Sequence, residues 1–175
     1  MLQTLVSGLE SGSWFALLGL AIVVVMKAAD VPNFAMADIG LVATYVGISL
    51  AGAGVPFWLA VVATLVTGIA LGVVIDVALM RRLAKYGHFP LLLMTIGLSL
   101  ALTALAGLIW GHDPRSFRAP WTGASIEIGG GVAIGVSQIV SIVVGLLGAI
   151  AISAFFTTPV GAQMRAVAEN RATAS

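Results

Sequence analysis

PFWLAVVATLVTGIALGVVIDVALM, residues 56–80, is the stretch that decides the fold. A hydrocarbon core about 30 Å thick takes about 20 apolar residues in a helix that rises roughly 1.5 Å per residue. This run is long enough to cross unaided, with Asp76 as its one charge. Working outward, two runs of the same kind follow, residues 89–110 and 132–156, and neither contains a charged residue. Two weaker runs precede it: residues 13–26, extended at their start by residues 2–9, and residues 34–50. Both are short or interrupted. The expectation is an all-α, polytopic transmembrane helix bundle with about five membrane segments.

Composition points the same way. Of 175 residues, 60% are hydrophobic and 9% are charged, where a soluble domain carries about 25% charged residues. Eight Lys and Arg against seven Asp and Glu leave no excess charge to favour nucleic acid or an acidic ligand. The lack of cysteine excludes disulfides, thiolate metal sites and cysteine nucleophiles, and leaves the redox compartment open. The apolar start has no Lys/Arg-rich beginning, carries Glu10 and runs into Asp30 without an Ala-x-Ala pattern. It is therefore expected to be retained rather than cleaved as a signal peptide.

Residues 81–88, 111–131 and 157–175 hold most of the charges and turn residues, and so form the water-facing connections. The first and last share a side, because two spans separate them. Together they carry Arg81, Arg82, Lys85, Arg165 and Arg171, whereas the middle one carries Arg115 and Arg118. The positive-inside tendency then places residues 157–175 in the cytoplasm and 111–131 outside. Trp58, Trp110 and Trp121 lie near span ends, where interfacial aromatics belong. The side of the amino terminus stays open: simple counting puts it outside, and a broken or re-entrant element near residues 30–50 would put it inside.

That element is the most informative part of the chain. Lys27, Asp30, Pro32, Asn33 and Asp38 interrupt what is otherwise nearly continuous apolar sequence over residues 17–50. Irregular polar backbone at membrane depth persists only where protein or a watery cavity covers it, so a pathway lining is expected here. A helix starting at this point would aim free backbone N–H groups at its entrance, as the half-helices of transporters do. The plainer alternative is an interfacial turn capped by Asn33 or Asp38.

The final residues, TTPVGAQMRAVAENRATAS over 157–175, leave the membrane abruptly. Thr158 can serve as N-cap with Pro159 at the first helical position. Val160, Met164, Val167 and Ala168 recur at helical spacing on one side, with Arg165 and Glu169 on another. The pattern predicts a short amphipathic cytoplasmic helix, which either docks in a groove of a soluble partner or lies on the lipid surface. Small residues four apart, Gly68 with Gly72 and Gly131 with Gly135, predict close helix approach in lipid. The Gly129-Gly130-Gly131 run has no Gly-Lys-Ser/Thr after it and reads as a plain turn. Asp76 is placed to pair with Arg81 or Arg82 at the cytoplasmic end of its span.

Enzyme chemistry finds little to work with. His88 and His112 flank the fourth span and stand about 30 Å apart if it crosses the core, too far to share a metal or a proton. Thr95 and Ser99 are hydroxyls well inside that span, with no His or Lys placed to activate them. No catalytic residue, cofactor or metal site is expected.

Gly19-Leu20-Ala21 followed by Asn33-Phe34-Ala35-Met36-Ala37-Asp38 is similar to a known early Gly-Leu and Asn-Phe-Ala-His-Gly-Asp signature. Thr95-Ile96-Gly97-Leu98-Ser99 is similar to an Ile-Gly-Leu/Met-Ser stretch of the same proteins, and Asp76, Arg81 and Leu83 to an acidic residue before Arg-Pro-Leu. The most specific piece, residues 161–170, is similar to a Gly-x-x-x-Arg-Ala-x-Ala-Glu coupling segment. On these motifs, nearly end to end, the chain resembles the LivH-type permeases of branched-chain amino acid ABC importers. It departs from them at Met36 for His, Ala37 for Gly and Arg82 for Pro.

The resemblance implies an inner-membrane, multi-pass permease whose partners are cytoplasmic ABC ATPase subunits, a second, LivM-like permease subunit and an extracytoplasmic amino-acid-binding protein. It replaces the surface-loop reading of the tail with an ATPase-coupling segment in which Gly161, Met164, Arg165, Ala166 and Glu169 take part. It assigns Asn33, Phe34, Asp38, Thr95 and Ser99 to the substrate pathway or gate. Residues 1–175 are then a single transmembrane permease domain lacking the family's later spans, with 157–175 as its coupling segment. The implied substrate is a branched-chain or similar small apolar amino acid, with urea or short amides as an alternative. A non-ABC channel or structural subunit is the rival reading from another class.

Overall fold

The computed structural model describes residues 2–29, 31–127, 133–159 and 161. The chain divides into two compact units, one formed by Val31–Arg118 and the other by Met1–Asp30 with Ala119–Ser175. Among the described residues, four helices are long and apolar enough to cross a membrane, and a fifth apolar helix is shorter.

In the unit Val31–Arg118, α2 (Met36–Gly52) and α3 (Phe57–Ile75) form an antiparallel hairpin. Its turn depends on Gly54, whose φ of 89° suits a residue without a Cβ, and on Pro56, whose fixed φ of −54° leads into α3. The two helices approach most closely where Gly47 faces Thr64: a Cβ on Gly47 would collide with Thr64 Oγ1. One turn earlier on α2, Ala43 meets Gly68 at ordinary contact distance. Gly72 has open space instead, so of that expected glycine pair one member packs and the other does not.

After Ile75 the helix widens into a π turn, Asp76–Met80, then tightens through α4 (Arg81–Leu83) and a 3₁₀ turn, Ala84–Tyr86. Arg81 Nε donates to Asp76 Oδ2 at 2.8 Å across the π turn, the local pairing expected from sequence. Gly87, at φ 99°, breaks the path before α5 (His88–Trp110), and Gly111, at φ 80°, ends α5. Leu65, Ile69, Leu100 and Leu108 are among many large apolar side chains left exposed, the reverse of a soluble core and what a lipid-facing surface requires.

The second unit rests on α1 (Leu2–Ala29) and α6 (Val136–Thr157). α1 is one unbroken helix of 28 residues, so the interruption expected before Ser13 is absent. Two of its polar residues are bonded locally or to α6: Ser13 Oγ donates to the Glu10 carbonyl at 2.7 Å, and Gln138 Nε2 donates to Ser7 Oγ at 3.3 Å. Cβ atoms on Gly145 and Gly148 would press on Ser13 and Leu17, at 2.6 and 2.5 Å. Near the other end, Lys27 Nζ lies 5.5 Å from the Phe156 ring. All four pairings advance together along both helices, so α1 and α6 run parallel.

α6 starts at Val136 rather than at residue 132 because Ala133–Gly135 (β2) pairs antiparallel with Ser125–Glu127 (β1). Gly135 therefore belongs to this ribbon and its junction with α6, not to a helix–helix contact, and Gly129, Gly130 and Gly131 lie outside the described residues.

Candidate functional site

The irregular stretch before α2 is built from an Asx turn. The Asn33 side chain accepts the Ala35 N–H at 3.0 Å, and the Met36 N–H points to the Asn33 carbonyl at 3.4 Å. Val31 and Ala35 are buried while Phe34 is exposed. Ala35 is the N-cap residue and offers no side-chain cap, so neither Asn33 nor Asp38 plays the capping role of the plainer reading.

Asp38 instead reaches across to α5. Ser99 Oγ donates to Asp38 Oδ2, and Thr103 Oγ1 donates to Asp38 Oδ1 at 2.8 Å. Ser99 and Thr103 are four apart and so share one face of α5. Further along, Trp110 Nε1 donates to Ser49 Oγ at 2.7 Å, and the Trp110 and Tyr45 rings stack at 5.3 Å. α2 and α5 therefore run parallel, in a register that sets the first turn of α2 beside Ser99.

That register fixes a depth. Ser99 is the middle residue of the 23-residue α5, a helix of ~34 Å that matches a hydrocarbon core. α2 thus begins about halfway along its neighbour and finishes beside Trp110. It is short, at 17 residues, and the turn at 31–35 stands directly before it. The break expected near residues 30–50 lies ahead of α2, and the helix itself is continuous.

The geometry joins Asp38 with Ser99 and adds Thr103, which sequence reasoning missed although it stands one helical turn from Ser99. Thr95, one turn before Ser99 on the same face of α5, takes no part in this cluster: it is buried, and its hydroxyl donates to the Leu92 carbonyl of its own helix at 2.9 Å. Asp38 and Ser99 are half-buried and Thr103 is exposed, so the carboxylate and its hydroxyl donors sit on an open flank of the unit.

The polar turn at 31–35 and the Asp38 cluster thus lie between apolar helices, level with the middle of α5. The family described as branched-chain amino acid transport system, permease component, matches over residues 4–175. The chain belongs to that family. Neither the curated proteins nor the solved structures give a match.

Thr158 Oγ1 accepts the Gly161 N–H at 3.3 Å, the bond of a Ser/Thr N-cap. Gly161 is buried, and a Cβ there would strike the Phe155 carbonyl and lie 2.6 Å from Phe156 Cα. The chain can fold back so tightly only because this residue is glycine. Met164, Arg165, Ala166 and Glu169 lie outside the described residues. Family membership and the spanning helices together make this permease a multi-pass membrane protein.

Proposed function

We propose that this chain is the membrane-spanning permease subunit of an ABC importer that moves branched-chain or similar small apolar amino acids across the inner membrane. Its motor is a pair of cytoplasmic ATPase subunits. A second, LivM-like permease completes the pathway, and an extracytoplasmic binding protein delivers the substrate.

The observation that carries the reading is the carboxylate of Asp38 at mid-depth on an open flank. An Asp at the centre of a spanning helix costs about 2.5–3.5 kcal/mol on insertion scales. An interhelical hydrogen bond in a membrane returns about 0.6 kcal/mol on average. The bonds from Ser99 and Thr103 leave most of that cost, so this flank meets water, substrate or another polar subunit rather than acyl chains. Asn33, Phe34, Asp38 and Ser99 border the pathway or gate, with Thr95 packed behind it.

The parallel pairings support a simple topology. If α6 runs towards a cytoplasmic tail, α1 runs the same way, and its amino-terminal end lies outside. Five alternating crossings then follow without a re-entrant loop. On the cytoplasmic side, ATP binding draws the two ATPase subunits together, each gripping a helix that starts at Thr158. Arg165 and Glu169 contact the ATPase, and Gly161, Met164 and Ala166 shape the helix that carries the motion into the spans.

Uptake of labelled leucine into proteoliposomes tests the reading. The full chain, purified with the subunits that accompany it, should import leucine only with ATP and a supplied binding protein. Uptake that proceeds without ATP would make the protein a channel or facilitator instead.

A further inference from the structure

A cavity of about 300 Å³ opens at the end of α2 that carries Ser49, lined by Ile48, Gly52, Val55, Phe57, Phe117 and Arg118 among others. Its size is at the lower end of small-ligand pockets. One wall is apolar: Ile48, Val55, Phe57 and Phe117. The Phe57 and Phe117 rings meet at 5.1 Å and so pin the segment 116–118 against the start of α3.

The two cations of this connection are used differently. Arg115 is occupied, donating from Nη2 to the Trp110 carbonyl at 2.9 Å. Arg118 forms no hydrogen bond or ion pair among the described residues, and it lines the cavity. An apolar wall beside an uncommitted guanidinium is the complement of a small molecule that has a carboxylate at one end and a branched hydrocarbon at the other. The planar fork of Arg suits a carboxylate, and the aromatic and aliphatic wall suits the hydrocarbon.

We propose that this cavity is the outer receiving site of the permease, where an apolar amino acid rests with its carboxylate on Arg118 and its side chain against Ile48, Val55, Phe57 and Phe117. The assignment rests on the importer reading, since it takes this end of α2 to face the delivering side. α2 then links the two stations, with the cavity at its carboxy-terminal end and Asp38 in its first turn.

Photo-leucine, the diazirine analogue of leucine, tests it. The full chain, purified with its accompanying subunits in phosphatidylcholine nanodiscs, is illuminated with the probe and mapped by mass spectrometry. Labelling should fall on residues 48–57 and 116–118, and excess leucine should suppress it. Leucinamide, which lacks the carboxylate, should suppress it far less. Arg118→Gln should lower labelling about tenfold or more, as expected for loss of a charge-assisted pair, with Arg118→Lys in between. An unchanged elution profile shows that each variant is folded.

Labelling indifferent to Arg118→Gln, equal competition by leucinamide, or labels placed elsewhere would overturn the assignment. So would loss of labelling when phosphatidylglycerol is added, which would give Arg118 to a lipid phosphate. Leucine uptake by the same wild-type preparation separates the two levels. Uptake without cavity labelling removes the receiving site alone, and cavity labelling without uptake removes the importer reading.

Discussion

Trp110 donates its indole N–H to Ser49 across a separation of 61 residues, the same separation that joins Ser99 to Asp38. Two bonds with one offset make a ruler. They hold α2 parallel to α5 and set the first turn of α2, with its carboxylate, against the middle of its neighbour.

The Asp38 cluster yields the first prediction. Asp38→Ala should cut leucine uptake at least tenfold in a protein that still inserts and assembles, whereas Thr103→Val, which leaves the Ser99 bond in place, should cost two- to threefold. The stability lost with Thr103→Val should be about 0.6 kcal/mol, the average for an interhelical bond in a membrane. Wild-type uptake in Asp38→Ala would move the gate elsewhere.

The Gly47–Thr64 crossing predicts a compensating pair. Gly47→Ala forces a methyl group into Thr64 Oγ1, and overpacking of this kind costs about 1–3 kcal/mol. A lowered melting temperature in detergent should be partly restored by adding Thr64→Ala. If the double variant is no better than the single, the close approach of α2 and α3 is not the source of the loss.

The absence of cysteine makes introduced thiols clean reporters of direction. Cysteines at Ser7 and Gln138 should cross-link readily, and cysteines at Ser7 and Phe155 should not, because α1 and α6 run parallel. In sealed cells an impermeant maleimide should label cysteines at Gln3 and Ser116 but reach Lys85→Cys and Ala174→Cys only after permeabilisation. Labelling at Ala174 in intact cells would remove the motor from its proposed side.

The turn after α6 gives a test of coupling. Gly161→Val cannot keep the close approach to Phe155 and Phe156 and should sharply reduce co-purification of an ATPase subunit. Arg165→Glu should do the same by reversing a contact charge, without disturbing the turn. Recovery of the ATPase at wild-type levels with Arg165→Glu would refute its assignment.

Hydropathy located the spans because a bilayer sets two requirements, length and freedom from charge, that can be read along a line. It read α1 as interrupted before Ser13, since Glu10, Ser11 and Gly12 depress the apolar signal. The helix runs through nonetheless, with Ser13 bonding to the Glu10 carbonyl and Ser7 meeting Gln138 of α6. Thr103 was overlooked for a related reason: its partnership with Asp38 depends on the register between two helices, which no local pattern specifies. Glycine spacing selected Gly68 with Gly72 and Gly131 with Gly135, but the tightest glycine contacts between helices, among the described residues, fall at Gly47, Gly145 and Gly148. A small residue matters only where another helix happens to cross. The π turn at Asp76–Met80 had no sequence signal beyond the Asp76–Arg81 pair that spans it.

The parallel partnership of α1 with α6 also constrains how the protein is made. Ser7 meets Gln138 across 131 residues, and ribosomes add about 5–20 residues per second. α1 therefore waits roughly 7–26 s in the bilayer or the translocon, its serines without their eventual neighbour. The α2–α3 hairpin can close almost as soon as it is synthesised. Assembly of the middle unit would precede that of the terminal one, and slowing translation between them should expose α1 to membrane quality control.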